Sequence, residues 1–356
     1  MENKNHVFKN SNHLSRRKFL KNSAISTIGL SLIDKLAAGF AKGLVSSEAS
    51  PKSKVVLVRH SKVANSSGKI QQKLLQQMLD KAITTLTGKS TLADAWKTFV
   101  SPEDVVGLKI NTLGLKEIKR TELVTHFSAM NSAILSGLKQ AGIAEEGVIV
   151  WDRRDDELVN AGLSIHTEQN ALRIFGTTNR DSKTGIGFSR EQYAVGTQKS
   201  RVSRILTDMC TVFINVPLMK THRNAGMTCS LKNHYGSIDN PGDFHPNSCT
   251  NPGIAEVNAI PVIRKKQRLI VCDALLGVYE GGPNWRRQYI WPYGGILLGT
   301  DPVALDYTAM KILDEQRRAM GLPPLEPRVE YLKLAEQFGL GTCQPEKIDF
   351  IKIELV

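Results

Sequence analysis

"CTVFINVPLMKTHRNAGMTCSLKN", residues 210–233, decides how the rest of the chain is read. Its opening is a short apolar run of strand character that ends in Asn215. Residues 216–233 then carry Lys220, His222, Arg223, Lys232 and two asparagines among small residues. Open α/β sheets bind ligands at the carboxyl ends of their strands, so a strand that finishes in a polar cluster is a candidate ligand-facing end.

The same form recurs along the chain. "KVVLVRH" (54–60), "DVVGLKIN" (104–111), "GVIVWD" (147–152), "RLIVCD" (268–273) and "GILLGTD" (295–301) read as strands. "IQQKLLQQMLDKAITTL" (70–86), "ELVTHFSAMNSAILSGLKQAG" (122–142), "RVSRILTD" (201–208) and "DPVALDYTAMKILDEQRRAM" (301–320) have helical spacing. Short Val/Ile/Leu runs alternating with helices predict an α/β fold with a mainly parallel sheet and helices on both faces. The closing "IDFIKIELV" (348–356) alternates and reads as an edge strand.

Parallel strands put their polar ends on one rim, which predicts a cleft at the strand C-terminal ends. Lys109, Asn111, Asp152, Asn215, Asp273 and Asp301 all stand at such ends. Lys109 is the most telling, because a lysine in an apolar strand must find an anion or leave the core. Plainer roles compete for the acids and amides. Asp301 before Pro302 has the form of a helix N-cap. Asn111 and Asp152 suit Asx turns, and Asp306 reads as solvent-facing. Asp152, Asp301 and Asp306 are therefore assigned structural or secondary roles.

Within 216–233, Thr228 is placed to cap a short helix bearing Ser230, Lys232 and Asn233. Such an N-terminus offers free N–H groups to an anion. The nucleotide-loop motifs are absent, so the ligand is an unnamed anion. Lys109, Asn111, Asn215, Lys220, Thr228, Lys232, Asn233 and the turn glycines Gly281 and Gly282 form the expected ligand-binding set. His222 and His245 are the expected proton carriers, working against Asp273. Histidines and carboxylates leave metal ligation open, but no H-x-x-x-H or similar spacing supports it, and no G-x-S-x-G elbow is present.

Of 356 residues, 41% are hydrophobic and 23% charged, which is ordinary globular composition. The formal charge of +13 favours anionic partners. Nucleic acid fits poorly, because aromatics are 6% and no Lys/Arg block is interleaved with them. The five cysteines form no C-x-x-C pair, which argues against a ferredoxin-type cluster and a structural zinc knuckle. Cys210 and Cys272, in or beside strands, are expected as buried thiols, and one disulfide stays open.

"SRRKFLK" (15–21), then "NSAISTIGLSLI" and the small residues of "LAAGFAKG", has the three parts of a secretory signal peptide. The Arg16–Arg17 pair with Phe19, Leu20 and Lys21 matches the twin-arginine pattern, so export machinery is an expected partner and the periplasm the expected location. Asp34 and Lys35 interrupt the apolar run before it reaches bilayer length, so no transmembrane segment is expected. The expected organisation is a signal peptide over 1–41, a linker over 42–53 and one α/β domain over 54–356.

"VGLKIN", "NVPLMKTHRNAGMTCSLKNHYGSI", His245, "VCDALLGVYEGGP" and "LLGTDPVALDYTA" resemble the blocks of domain-of-unknown-function family 362. The resemblance runs from about residue 53 to 320. It singles out Lys109, Asn111, Lys220, His222, Lys232, Asn233, His245, Asp273, Gly281, Gly282, Asp301 and Asp306 among the residues already named, together with Pro217 and Gly236. It implies no settled activity, and the cofactor stays unknown. Some members append iron–sulfur domains, whose cysteine run this chain lacks. By analogy of shape alone, the family is distantly similar to the lactate-racemase group, which uses a nickel cofactor. Two functions follow. One is an exported enzyme acting on an anionic small molecule; the other is a non-catalytic periplasmic binding or accessory protein using the same cleft.

Overall fold

In the first strand, β1 (Ser53–His60), Val55 and Leu57 turn to one face while Val56 and Val58 turn to the other, and all four are buried. A strand apolar on both sides must be covered on both sides. The computed structural model describes residues 51–178 and 185–356. The expected signal peptide and residues 42–50 of the expected linker lie outside the described residues.

The further strands, in chain order, are β2 (Val106–Lys109), β3 (Val148–Trp151), β4 (Arg173–Ile174), β5 (Tyr193–Val195), β6 (Gln198–Ser200), β7 (Val212–Asn215), β8 (Leu218–His222), β9 (Gly226–Thr228), β10 (Gln267–Val278), β11 (Ile290–Trp291), β12 (Gly295–Gly299) and β13 (Ile348–Leu355). The main sheet runs β13-β1-β12-β10-β7-β2-β3-β4, with β13 at one edge as expected. Every pairing along that order is parallel except the two made by β12. The fold is α/β with a mostly parallel mixed sheet.

Helices α1 (Gln72–Thr87), α2 (Leu92–Lys97) and α3 (Thr125–Gln140) cover the face of Val56 and Val58. Beyond the short α4 (Asp155–Asn160), the other face carries α5 (Ser230–Asn233), α6 (Ile254–Ala259), α7 (Pro261–Lys266), α8 (Pro302–Ala319) and α9 (Tyr331–Gln337). Among the described residues no helix is long and apolar enough to cross a membrane.

Four local expectations need correction. Residues 216–228, read from the sequence only as the polar cluster beyond a strand end, are themselves mostly strand. After Pro217 the chain resumes as β8, which turns back as β9 and pairs with the outer half of β10. The helical spacing at 201–208 resolves into a short π turn, Ile205–Met209. Because β12 runs antiparallel to both neighbours, Asp301 lies at the edge opposite the cleft. There it caps α8, accepting from Val303 and Ala304 at 2.9 Å and from Ser53 Oγ at 2.5 Å.

The fourth correction concerns the start of α5. Thr228 does not cap it. Asp306, reaching from α8, takes the amides of Ser230 at 2.7 Å and Leu231 at 3.1 Å. Asp306 is fully buried rather than solvent-facing. Burial pushes its carboxyl up to about 7 in spite of those two amides. The helix end read as an anion site is thus closed by the protein's own carboxylate. Asp306→Ala should lower stability by about 1–3 kcal/mol, the cost of leaving two buried N–H groups unpaired. A chemical denaturation curve measures it, with Asp306→Asn, which keeps one acceptor, losing less.

Candidate functional site

Lys109 ends β2 with no exposed surface. Its ammonium has three protons and finds three acceptors: Asp152 Oδ1 at 2.7 Å, the Ile110 carbonyl at 2.7 Å and Asn233 Oδ1 at 3.2 Å. Asp152, just past β3, is therefore the anion that the apolar strand demanded. Its other oxygen takes Thr112 N at 2.6 Å and Thr112 Oγ1 at 2.8 Å. Burial alone would raise this carboxyl, but the Lys109 charge and the Thr112 bonds hold it below the usual range.

Three asparagines extend the network. Asn233 Nδ2 donates to Asn215 Oδ1 at 2.7 Å and to the Lys109 carbonyl at 3.0 Å. Asn111 donates to Asn233 Oδ1 at 3.2 Å, and Asn215 to the Ser230 carbonyl at 3.0 Å. Lys109, Asn215 and Asn233 are thereby consumed in tying α5 to the ends of β2 and β7.

Lys220 and Lys232 differ. Both are buried, and neither forms an ion pair among the described residues. Lys220 Nζ donates to the Leu113 carbonyl at 2.7 Å. Lys232 Nζ lies 3.3 Å from the Tyr235 ring centroid and 3.5 Å from His245 Nε2. Burial brings both ammonium groups down to about 7, with the Lys109 charge adding to the effect at Lys220 and the Lys220 charge adding to it at Lys232.

The imidazoles beside them stack at 5.7 Å between centroids. His222 Nδ1 accepts from the amides of Asn224 and Ala225, both at 3.2 Å. A ring nitrogen so engaged resists protonation, and burial beside Lys232 pushes His222 down to about 2. The neutral ring thus carries its proton on Nε2 and acts as a fixed donor. His245 is also lowered, by burial and Lys232, although carbonyls of Pro241 and Gly242 work in the opposite sense. With Lys232 at Nε2, that nitrogen keeps a lone pair.

Lys232, His222 and His245 line a cleft of about 600 Å³ at the strand ends, whereas Lys220 is not part of its wall and reaches it only through its bond to Leu113, which is. Asn111, Asp152, Thr228, Lys232 and Asn233 reach its wall with both histidines. Thr228 Oγ1 is buried there with no hydrogen-bond partner among the described residues. Glu157 on α4 faces the same space, and burial followed by the nearby Asp152 charge raises it to about 7. Arg153, Arg154 and Tyr235 complete that wall. Glu157 was missed in the sequence. Its signal is the charged run "DRRDDEL" (152–158) immediately after a strand end.

Asp273 is not in this cleft. It sits inside β10, not at its end, and side chains alternate along a strand. Cys272 faces α5 and α8, so Asp273 faces α3, where its carboxylate meets His126 Nδ1 at 2.5 Å. Gly281 and Gly282 also lie elsewhere, in a turn against Thr221 that lines a neighbouring recess. All five cysteines are free, with Cys229 Sγ 3.5 Å from Cys272 Sγ.

No group of three or more His, Cys, Asp or Glu among the described residues is placed to hold a metal ion. With the Lys232 ammonium, two guanidinium groups and a histidine fixed as a donor in its wall, the cleft does not fit a divalent cation such as nickel, and no step is drawn through one.

An α/β sheet with a buried, cation-lined cleft at its carboxyl rim defines the class. Within it, the chain belongs to the family described as "Domain of unknown function (DUF362)", whose model matches residues 106–311. A search among curated proteins finds no match. Among solved structures, a Thermotoga maritima protein from the Northeast Structural Genomics Consortium shares 12% identity at a TM-score of 0.39. That alignment covers 75% of this chain and 59% of the other.

Gly236 passes so close to the buried ion pair that an added Cβ would lie 2.8 Å from both Asp152 Oδ1 and Lys109 Nζ. Neither partner can retreat without losing its bonds. Gly236→Ala should therefore destabilise the protein by roughly 1–3 kcal/mol through overpacking, read as a lowered melting temperature.

Proposed function

We propose that the cleft binds an anionic small molecule and that the protein is an enzyme acting on it. The observation that carries this reading is the buried Lys232 ammonium in the cleft wall, with no carboxylate partner among the described residues and with a second unpaired buried lysine, Lys220, bonded to the carbonyl of the wall residue Leu113. Burying a charge without an opposite charge is costly, and an arriving anion would relieve the cost. The unpartnered Thr228 hydroxyl adds a donor on the same wall. Arginine and lysine together account for the basic character, and the fixed His222 Nε2–H would stabilise negative charge on a reacting oxygen.

Two groups suit proton transfer. The His245 Nε2 lone pair could accept a proton from the bound molecule, and Glu157, raised to about 7, could return one near neutral pH. Their environments differ, which is how one site divides acid from base. A non-catalytic carrier would use the same cleft. It is favoured by the rigid lysine–asparagine network, which presents a preformed wall. Export by the twin-arginine route to the periplasm is part of the proposal and rests on Ser15–Lys21 and the apolar segment after it.

Lys232→Met should abolish binding of small carboxylates and inorganic phosphate in isothermal titration. The melting temperature should stay level or rise, because an uncompensated buried charge is removed. A collapse of folding, or unchanged binding, would count against the anion site. Glu157→Gln and His245→Asn should keep binding and lose turnover; if wild type binds a native ligand with no turnover, the carrier reading stands instead.

Lys232 supplies the pH dependence. Burial holds its ammonium at about 7, and an anion bound beside it raises it, so binding takes up a proton. Affinity for an anion of fixed charge should fall as pH rises above about 7. The measured heat should also depend on the buffer's ionisation enthalpy.

A further inference from the structure

His222 stands in the walls of two recesses. One is the cleft; the other, of about 340 Å³, is bounded by Thr221, the Gly281–Gly282 turn and the guanidinium groups of Arg223, Arg286 and Arg328. The single carboxylate lining it, Glu280, is already ion-paired to Arg317. Arg328 is engaged with the carbonyls of His222 and Arg223. Arg223 and Arg286 form no ion pair among the described residues.

The turn that closes this recess is held tightly to β8. Gly282 N donates to Thr221 Oγ1 at 3.2 Å, and an added Cβ at Gly282 would fall 1.8 Å from the Thr221 carbonyl oxygen. Only a residue without a side chain lets the arginine-bearing turn lie flat on the strand that carries Lys220 and His222.

Two recesses, each lined by a cation without an ion-pair partner among the described residues, thus adjoin one imidazole. We infer that the ligand is a dianion that spans them, with one acidic group near Lys232 and a second oxyanion, phosphate or carboxylate, on Arg223 and Arg286. A guanidinium fork suits either oxyanion, because it offers paired parallel N–H donors. The inference rests on the cleft being an anion site and adds the class of molecule: a small compound with acidic groups at both ends. His222 would then act between the two anchors, where the reacting part of the ligand passes.

The test is calorimetric titration of the full chain with unbranched dicarboxylates from malonate through suberate, alongside acetate and inorganic phosphate. Affinity should peak at one chain length, and that peak should vanish in Arg223→Gln/Arg286→Gln, with a loss of roughly tenfold or more. Both arginines are exposed, so the double variant should keep the wild-type melting curve. A phosphate-capped carboxylate of the preferred length then tells which oxyanion the arginines favour. Binding that depends on Lys232 but ignores both length and the arginines overturns the dianion and leaves the anion cleft standing. A uniform loss in the arginine variant, with no preferred length, means two independent sites and also overturns it. Binding lost in the arginine variant but retained in Lys232→Met would remove the cleft reading instead.

Discussion

Everything at the rim depends on a lysine with no route to water. Lys109 is carried by the apolar strand β2 into the interior, and only Asp152 and two well-placed oxygens make that tolerable. Removing one partner of a buried pair typically costs about 3–5 kcal/mol, because the other charge is stranded. The pair therefore fixes the spacing of β2 and β3 at their carboxyl ends. Through Asn233 it also fixes α5, and α5 brings Lys232 to the cleft. Gly236 belongs to the same constraint, since the chain leaving α5 must cross the pair at a distance no side chain would permit.

Three lysines of similar burial meet different fates within one small region. Lys109 is neutralised, and its protons are all spent. Lys220 and Lys232 are left with a carbonyl, an aromatic face and an imidazole, none of which carries a formal negative charge. Of the two, only Lys232 stands in the cleft wall, so the contrast separates scaffold from a charge open to a ligand, although residue type alone would group all three. Asp306 makes the same point from the acidic side, because its carboxylate is spent on the amides at the start of α5.

Most strands were legible because Val, Ile and Leu runs fit a sheet covered on both faces. Their direction was not. "GILLGTD" has the same composition whichever way it runs, so nothing in it told that Asp301 would emerge at the far edge. Asp273 failed for a different reason. β10 continues past it for five residues, and alternation sends it to the α3 face beside His126. The hairpin of β8 and β9 hid behind Pro217 and its mixture of small and charged residues. Lys109 was the most informative residue in the sequence, since apolar neighbours posed a problem that only an acid could solve. Glu157 stood in plain view in the charged run 152–158, but which of its acids would be buried and raised depended on how the segment after β3 packs, which the run itself does not show.

The length of β10 has a consequence of its own. Its inner half pairs with β7 and β12, and its outer half bears β8 and β11, so one continuous strand aligns the sheet with the wall above it. Cys272 and Asp273 sit side by side on opposite faces of that strand. A slip by a single position would drive the carboxylate into the layer where two thiols touch and would abandon His126 without its partner. The acid thus serves as a proofreading mark: a misaligned sheet is penalised by electrostatics before any ligand arrives.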